Sequence, residues 1–277
     1  MSAGTSFIES VNVLTVPKGA VGVWWIGQGS LVLKLGGKVI WLDPYLDPEE
    51  DRPAGKRRLM PPPCAPEEAT SADVILLTHD HRDHIDPASL PQVAAASPEA
   101  RVYAPAPLRY RVGELIGNVE RVEPATAGDA IDLGGIDVIP VPAAHEDLDE
   151  HPQYGHKFLG YVLKAEGVTV YCAGDTIPYE GLIETLSPLD VDLAFLPING
   201  RDFFRTRSGT IGNMDYREAA ETAVMIGADT FVPVHWGMFA GNTVPPGYAA
   251  TYVAEKGLDV HVHVPALHRP WVYMPAR

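Results

Sequence analysis

The stretch Thr78-His79-Asp80-His81-Arg82-Asp83-His84-Ile85-Asp86 follows directly on the apolar run Val74-Ile75-Leu76-Leu77. Three imidazoles and a carboxylate (His79, His81, Asp83, His84) thus fall at the end of a segment that reads as a buried strand. Polar groups left there without partners would carry a desolvation cost, whereas a divalent cation satisfies imidazole nitrogens and carboxylate oxygens together. The stretch reads as a metal-binding loop, and the chemistry of the chain is expected there.

Around that loop, short apolar segments alternate with turn signals. Val21–Trp25, Ser30–Leu35 and Lys38–Leu42 are rich in Val, Ile, Leu and Trp, and the Gly36-Gly37 pair predicts a hairpin between the last two. Asp47–Pro66, with mixed charges and Pro61-Pro62-Pro63, is expected to be an exposed excursion bordering the active cleft. Beyond the metal loop, helical patterns at Ser89–Ala96 and Leu108–Ile116 alternate with strands at Arg101–Ala104 and Asn118–Val122. Strands follow at Ala130–Leu133, Ile136–Val141, Leu159–Ala165 and Val168–Cys172, joined by turns at Gly134-Gly135 and Glu166-Gly167. The last third predicts strands at Asp192–Leu196, Thr230–Val234 and Asp259–Val264, with helices at Tyr216–Ile226 and Tyr248–Lys256. Each half therefore holds strands followed by helices. An α/β arrangement of two sheets packed face to face with helices outside hides both apolar sheet faces, and one domain over residues 1–277 is the expectation.

Composition narrows the function. No window approaches the roughly 18 consecutive apolar residues that span a bilayer, and the first residues lack the pattern of a secretory leader, so a cytoplasmic location is expected. The two cysteines, Cys64 and Cys172, form no Cys-x-x-Cys pair, which leaves His and carboxylate to hold any metal. A formal charge of −15 repels phosphate backbones, so the expected partner is a small molecule and not nucleic acid or a membrane. Two divalent ions would reverse the sign of charge locally and make one cleft attractive to anions.

The same context recurs downstream. His145 follows Ile136–Val141 through Pro142-Ala143-Ala144, Asp175 follows Val168–Cys172 through Ala173-Gly174, and His235 directly follows Thr230–Val234. Loops at one end of a sheet are where a scaffold converges groups distant in sequence. Taken alone, His145 reads equally as an ordinary loop histidine and Asp175 as a turn or helix-cap aspartate. A second His-x-His, at His261 and His263, alternates with Val260, Val262 and Val264 and reads as a half-buried strand with a polar face.

The ordered series His-x-His-x-Asp-His, His, Gly-Asp-Thr and final His resembles that of the metallo-β-lactamase superfamily. Within it, Trp24-Trp25-Ile26-Gly27, Asp43-Pro44, the block Thr78–Asp86 and Val234-His235-Trp236 look most like the L-ascorbate-6-phosphate lactonase group. The resemblance implies a four-layer αβ/βα sandwich of two mixed sheets and a two-metal hydrolase site. Carried over by position, His79, His81 and His145 would hold one ion, Asp83, His84 and His235 the other, with Asp175 bridging. The ions would share a solvent nucleophile, since metals lower the pKa of bound water from 15.7 to about 7. Asp83 would also accept its proton, His235 would serve the same chemistry, and Asp43 would orient the ligand loop. The family's oxygen-reducing di-iron members carry Glu at the position of His81, so hydrolysis is the reaction implied. Manganese or zinc are the expected metals, the lactonase resemblance pointing to manganese and to self-association.

For substrate, Asn199-Gly200-Arg201-Asp202-Phe203-Phe204-Arg205-Thr206-Arg207 follows a predicted strand and offers Arg201, Arg205 and Arg207 in an acidic protein. Guanidinium forks suit phosphate or carboxylate, although pairing with neighbouring acids explains them equally. Asn199, Tyr179 and His156 are further candidates for lining the cleft, as are His151 and Tyr154. The expected function is a metal-dependent lactonase acting on a small, anionic, sugar-acid type of lactone. A phosphodiesterase is the alternative on the same metals, and a non-catalytic metal sensor is the alternative of another class.

Overall fold

The structure, a computed structural model, describes residues 6–49, 52 and 57–276. Its strands are β1 (Val21–Gly27), β2 (Ser30–Leu35), β3 (Lys38–Leu42), β4 (Val74–Leu76), β5 (Arg101–Pro105), β6 (Val122–Ala125), β7 (Ile131–Asp132), β8 (Asp137–Pro142), β9 (Glu150–His151), β10 (Gly155–His156), β11 (Leu159–Ala165), β12 (Val168–Cys172), β13 (Leu193–Pro197), β14 (Thr230–Val234), β15 (His261–Val262) and β16 (Trp271–Tyr273). The helices are α1 (Phe7–Val13), α2 (Leu90–Ala96), α3 (Arg109–Leu115), α4 (Leu182–Leu186), α5 (Phe203–Arg207), α6 (Tyr216–Met225) and α7 (Gly247–Lys256). No helix of the described residues is long and apolar enough to cross a membrane.

Two seven-stranded sheets repeat one plan. The first runs β16-β1-β2-β3-β4-β5-β6 and the second β15-β14-β13-β12-β11-β8-β7. In the first, β1, β2 and β3 are antiparallel neighbours and β3 to β6 are parallel. In the second, β8, β11 and β12 are antiparallel neighbours and β12 to β15 are parallel. These pairings send the C-terminal ends of β1, β3 and β4 to one edge of the first sheet, and those of β8, β12, β13 and β14 to one edge of the second. Backbone bonds from Leu159 N to Thr78 O (3.0 Å) and from His235 N to Gln28 O (3.0 Å) join the two edges. The Tyr161 hydroxyl adds a bond to Leu77 O at 2.7 Å.

Why the strands read as nearly continuous apolar runs follows from the layering. Val23, Trp25, Leu31 and Leu33 meet Leu159, Tyr161, Leu163 and Phe195 between the sheets. Their neighbours Trp24, Ile26, Val32 and Trp41 pack outward under α2 and α3 residues such as Leu90, Val93 and Val112. On the other flank Val162, Tyr171 and Phe231 lie under Leu182 and Leu186 of α4, Ala219 and Ala223 of α6 and Ala249 of α7. A sheet covered on both faces loses the apolar–polar alternation of a half-exposed one. Gly36 and Gly37, with φ of 53° and 76°, form the mirror-image turn that matches strand twist between β2 and β3. An Asp215–Glu218 capping box starts α6, with Asp215 accepting from Arg217 N and Glu218 N.

Four sequence expectations shift. Asn118–Val122 is a short 3-10 turn, with the strand beginning only at Val122, because the Asn118 side chain caps Glu120 N and holds the chain in a turn. Asp259–Val264 pairs only over His261–Val262, at the rim of its sheet. His263 there stacks on Trp271 at 4.1 Å. The excursion Asp47–Pro66, whose residues 50, 51 and 53–56 lie outside the described residues, is not wholly exposed: Glu49 and Arg58 are buried. Arg58 binds Tyr45 O, Asp47 O and Met60 O, and Leu59 N bonds to Met238 O, which ties the segment to the loop after His235. Finally, α1, α4, β9, β10 and β16 were not predicted. They are short, and β16 joins the sheet only by pairing with β1 across the length of the chain.

Candidate metal centre

His79, His145, Asp175 and His235 each sit one to three positions beyond a strand end, at the seam where the sheets meet, and His81, Asp83 and His84 follow in the loop that His79 opens. His79 to His84 follow β4 through Leu77-Thr78, His145 follows β8, Asp175 follows β12 and His235 follows β14 directly. The structure brings all seven together. Their donor atoms form three overlapping groups, each within 4.8 Å: His79, His84 and Asp175; His81, His145 and Asp175; Asp83, His84 and His235.

Two of the groups overlap at Asp175, and the third joins them through His84. Its Oδ1 lies 3.3 Å from His84 Nε2 and 3.2 Å from His235 Nε2, and its Oδ2 lies 3.9 Å from His79 Nε2 and 3.8 Å from His145 Nε2. Asp83 Oδ2 is 3.6 Å from His235 Nε2 and 4.0 Å from His84 Nε2. Yet Asp175 Oδ1, His79 Nε2 and His84 Nε2 are buried without a hydrogen-bond partner among the described residues. Buried polar atoms are almost always paired, so several pointing at one another without bonds fit donors that face common cations. The donor set of five imidazoles and two carboxylates suits divalent zinc or manganese.

The surroundings fix the rings. His84 Nδ1 lies 2.7 Å from Asp43 Oδ2, and a proton held there frees Nε2 for the centre. Asp43 is itself buried and accepts from Thr78 N at 2.8 Å and Thr78 Oγ1 at 2.6 Å, which supplies the bonds a buried carboxylate requires. Thr78 Oγ1 also stands 2.9 Å from His79 Nδ1. Phe158 lies against three ligand rings, 5.0 Å from His79, 5.8 Å from His81 and 5.6 Å from His145. On the far loops, Thr176 Oγ1 accepts from Ala144 N at 3.1 Å, tying the Asp175 loop to the His145 loop. Gln28, Asp43, Glu146 and His235 all hold positive φ, 49°, 45°, 77° and 60°, so part of the strained backbone of the chain lies around this seam.

Electrostatics divides the histidines. Burial, with the neighbouring His84, holds His79 well below the ordinary imidazole range, and burial sets His145 down at about 4. Burial also opposes charge on His84 and His235, but the facing carboxylates outweigh it: Asp175 and Asp43 raise His84 well above its usual value, and Asp175 and Asp83 raise His235. Asp175 and Asp83 are pushed up by burial and pulled down further by His84 and His235, ending low.

The profile of the beta-lactamase superfamily domain matches residues 39–236, the span from β3 to the residue after the last ligand. The chain belongs to this superfamily. It is 31% identical over 229 residues to the UPF0173 metal-dependent hydrolase of Pyrococcus horikoshii, covering 82% of this chain and 87% of that one. Against the UPF0173 metal-dependent hydrolase of Thermococcus kodakarensis it is 30% identical over 229 residues, again with 82% and 87% covered. The structure of Igni18, a metallo hydrolase of Ignicoccus hospitalis, superposes with a TM-score of 0.70 at 19% identity, over 92% of this chain and 98% of that one. The superfamily's sandwich of two mixed sheets flanked by helices is thus the fold of this chain.

Most of the residues singled out for substrate contact are bonded within the chain. Arg201 forks onto Glu218 of the α6 capping box at 2.6 and 2.7 Å and bonds Asn213 O. Arg205 pairs with Asp202 and reaches Asn199 O and Asn242 Oδ1, both at 2.9 Å. Asn199 is buried between Asn213 and Asn242, and Arg207 is exposed at the end of α5. The Tyr179 hydroxyl donates to Pro142 O at 2.6 Å, and His156 lies in the β9–β10 hairpin. His151 and Tyr154 stack on each other in the same hairpin, 4.8 Å apart. Sequence reading passed over Gln28, Thr78 as a bonding residue, and Phe158. Gln28 carried the same signal as the ligands, a polar side chain just past a buried strand, whereas nothing around Phe158 marks it.

Proposed function

We propose that this superfamily member is a two-metal lactonase that opens a small anionic lactone of the sugar-acid type. The observation that supports the reading most is the set of converging, buried, unbonded donors around Asp175. Divalent ions bound there supply Lewis acidity that activates water and polarises an ester carbonyl. The chain supplies the rest. Among the described residues the donor groups hold only His and Asp, so water adds to the carbonyl carbon and the ring C–O bond breaks. Asp83, with Oδ2 turned toward His235, takes the proton released by water and returns it to the departing ring oxygen. Asp43 and Thr78 keep His84 and His79 aimed. The resemblance to the ascorbate-phosphate lactonases supports the substrate class, as does the local positive charge that two ions would bring to an acidic protein. Arg201 and Arg205 are paired with acids, so exposed Arg207 is the first of the three to meet an anionic substituent. A cytoplasmic location and self-association belong to the same reading.

The test is chelated protein reloaded with manganese or zinc, assayed against a panel of sugar-acid lactones with and without phosphate, and against bis-p-nitrophenyl phosphate. Metal-dependent acid release from lactones is the expected result. Turnover of the phosphodiester alone would replace the lactonase reading, and stoichiometric metal uptake with no turnover of either would leave a sensor.

A further inference from the structure

One polar side chain in the centre falls outside the ligand series. Gln28 is fully buried in the turn from β1 to β2. Its backbone is fixed at a φ of 49°, and its carbonyl accepts from His235 N at 3.0 Å and Trp25 Nε1 at 2.9 Å. The carboxamide enters the group of Asp83, His84 and His235, with Nε2 2.7 Å from Asp83 Oδ2 and 3.3 Å from His235 Nε2. Its Oε1 is buried with no hydrogen-bond partner among the described residues.

The 2.7 Å contact is a hydrogen bond to Asp83, whereas the 3.3 Å separation from His235 Nε2 is a spacing of ligands. Donors at neighbouring corners around one divalent ion, each about 2.1 Å from it, lie about 3.0–3.5 Å apart. Beside it, His235 Nε2 and His84 Nε2 stand 3.2 and 3.3 Å from Asp175 Oδ1. The inner end of the Gln28 amide therefore occupies a place equivalent to theirs. Which atom fills it depends on the charge it meets, because a half turn of the carboxamide exchanges nitrogen and oxygen. Beside the bare Asp83 carboxylate the N–H end faces inward and donates. Beside a cation the N–H dipole is repelled and the carbonyl oxygen faces inward. The turn gives up the bond from Nε2 to Asp83 and carries the NH2 to the place where Oε1 has no partner, so contact of the oxygen with the cation must offset both.

We propose that Gln28 is an eighth donor of the centre, one that serves the ion held by Asp83, His84 and His235 through Oε1 and turns its amide as that ion enters. This rests on the two-metal reading above. The oxygen adds a ligand without adding charge, so its effect is to hold the second ion selectively, with the ion of His79, His81 and His145 unaffected.

Manganese binding to chelated protein, followed by calorimetry and elemental analysis, tests this for wild type, Gln28→Leu and Gln28→Glu, with melting of each chelated protein as the check on folding. Wild type is expected to bind two equivalents. Gln28→Leu should keep the first and weaken the second roughly tenfold to hundredfold. Gln28→Glu, which offers an anionic oxygen from the same turn, should bind the second at least as tightly as wild type. Wild-type affinities for both equivalents in Gln28→Leu would overturn the proposal alone, as would equal loss of both equivalents or a Glu variant no better than the Leu variant. A wild type that takes up fewer than two equivalents at saturation would overturn the two-metal reading and this inference with it.

Discussion

The His79–His84 loop and the Asn199–Arg207 segment begin alike. Each follows a buried parallel strand, β4 or β13, and each ends rich in side chains suited to ligands. They differ in what those side chains meet. In the first, the buried Nε2 atoms of His79 and His84 face the Asp175 carboxylate without a hydrogen-bond partner among the described residues. In the second, Arg201 and Arg205 are met by Glu218, Asp202 and Asn242, and the helix carrying Arg205 is largely exposed. A buried polar atom left unbonded stores a need that a ligand fulfils, whereas a guanidinium already forked onto a carboxylate has spent its directionality. Unmet bonding capacity, more than charge or residue type, separates a site from a polar surface.

The contrast breaks most decisively at Asp175. Asp175→Ala removes the carboxylate common to two of the donor groups, and should abolish turnover and cost more than about a hundredfold in metal affinity. His81→Ala should do the same, and elemental analysis of either variant checks it. A fully metallated, active Asp175→Ala protein would remove the basis of the comparison.

A smaller effect is expected one layer out. Asp43→Ala leaves Thr78 N and His84 Nδ1 without an acceptor, and should weaken metal binding by about 10–100-fold while lowering the melting temperature. Asp43→Asn, which keeps an acceptor oxygen, should recover part of both.

Proton linkage sharpens the comparison within the centre itself. His84 and His235 are raised by the carboxylates beside them and hold protons that a cation must displace, whereas His79 and His145 are held neutral. The sign follows: as pH falls, protons compete with the ion at Asp83, His84 and His235, and its apparent affinity drops by about tenfold per pH unit for each proton displaced. The ion at His79, His81 and His145 should be the less pH-sensitive of the two over the neutral range. Calorimetric titration in two buffers of different ionisation enthalpy reads the protons released by each equivalent.

The smallest effects belong to the second segment. Arg201 and Glu218 are each partly exposed, so Arg201→Ala should cost about 0–1 kcal/mol and leave metal content unchanged. A large rise in KM with unchanged kcat in that variant would instead give Arg201 a substrate contact. His263→Ala, in its stack on Trp271, should alter neither metal nor turnover.

How much of this was legible in the chain can be argued from particular residues. The seven candidate ligands were readable as an ordered series: the His79–His84 block follows an apolar run, whereas His145 and Asp175, ambiguous alone, were assigned by their place in a series that resembles the metallo-β-lactamase one. Strands β2, β3, β11, β12 and β14 were equally plain, since β-branched and aromatic runs between glycine turns leave few alternatives. Element edges near Asn118 and Asp259 were not, because a side-chain cap and the end of a sheet decide them.

The sequence by itself determined the residue types and order of the donor series and the layered class of fold, both of which depend on neighbours along the chain. Only the tertiary structure decided that Gln28 meets Asp83 and His235, that Phe158 lies against the rings of His79, His81 and His145, that Asp175 stands at the common corner, and that Arg201 and Arg205 are tied to acids. Those outcomes arise where two sheets meet along one edge. Hydrogen bonds across that seam act over a few ångströms between residues far apart in the chain, and no local pattern encodes them.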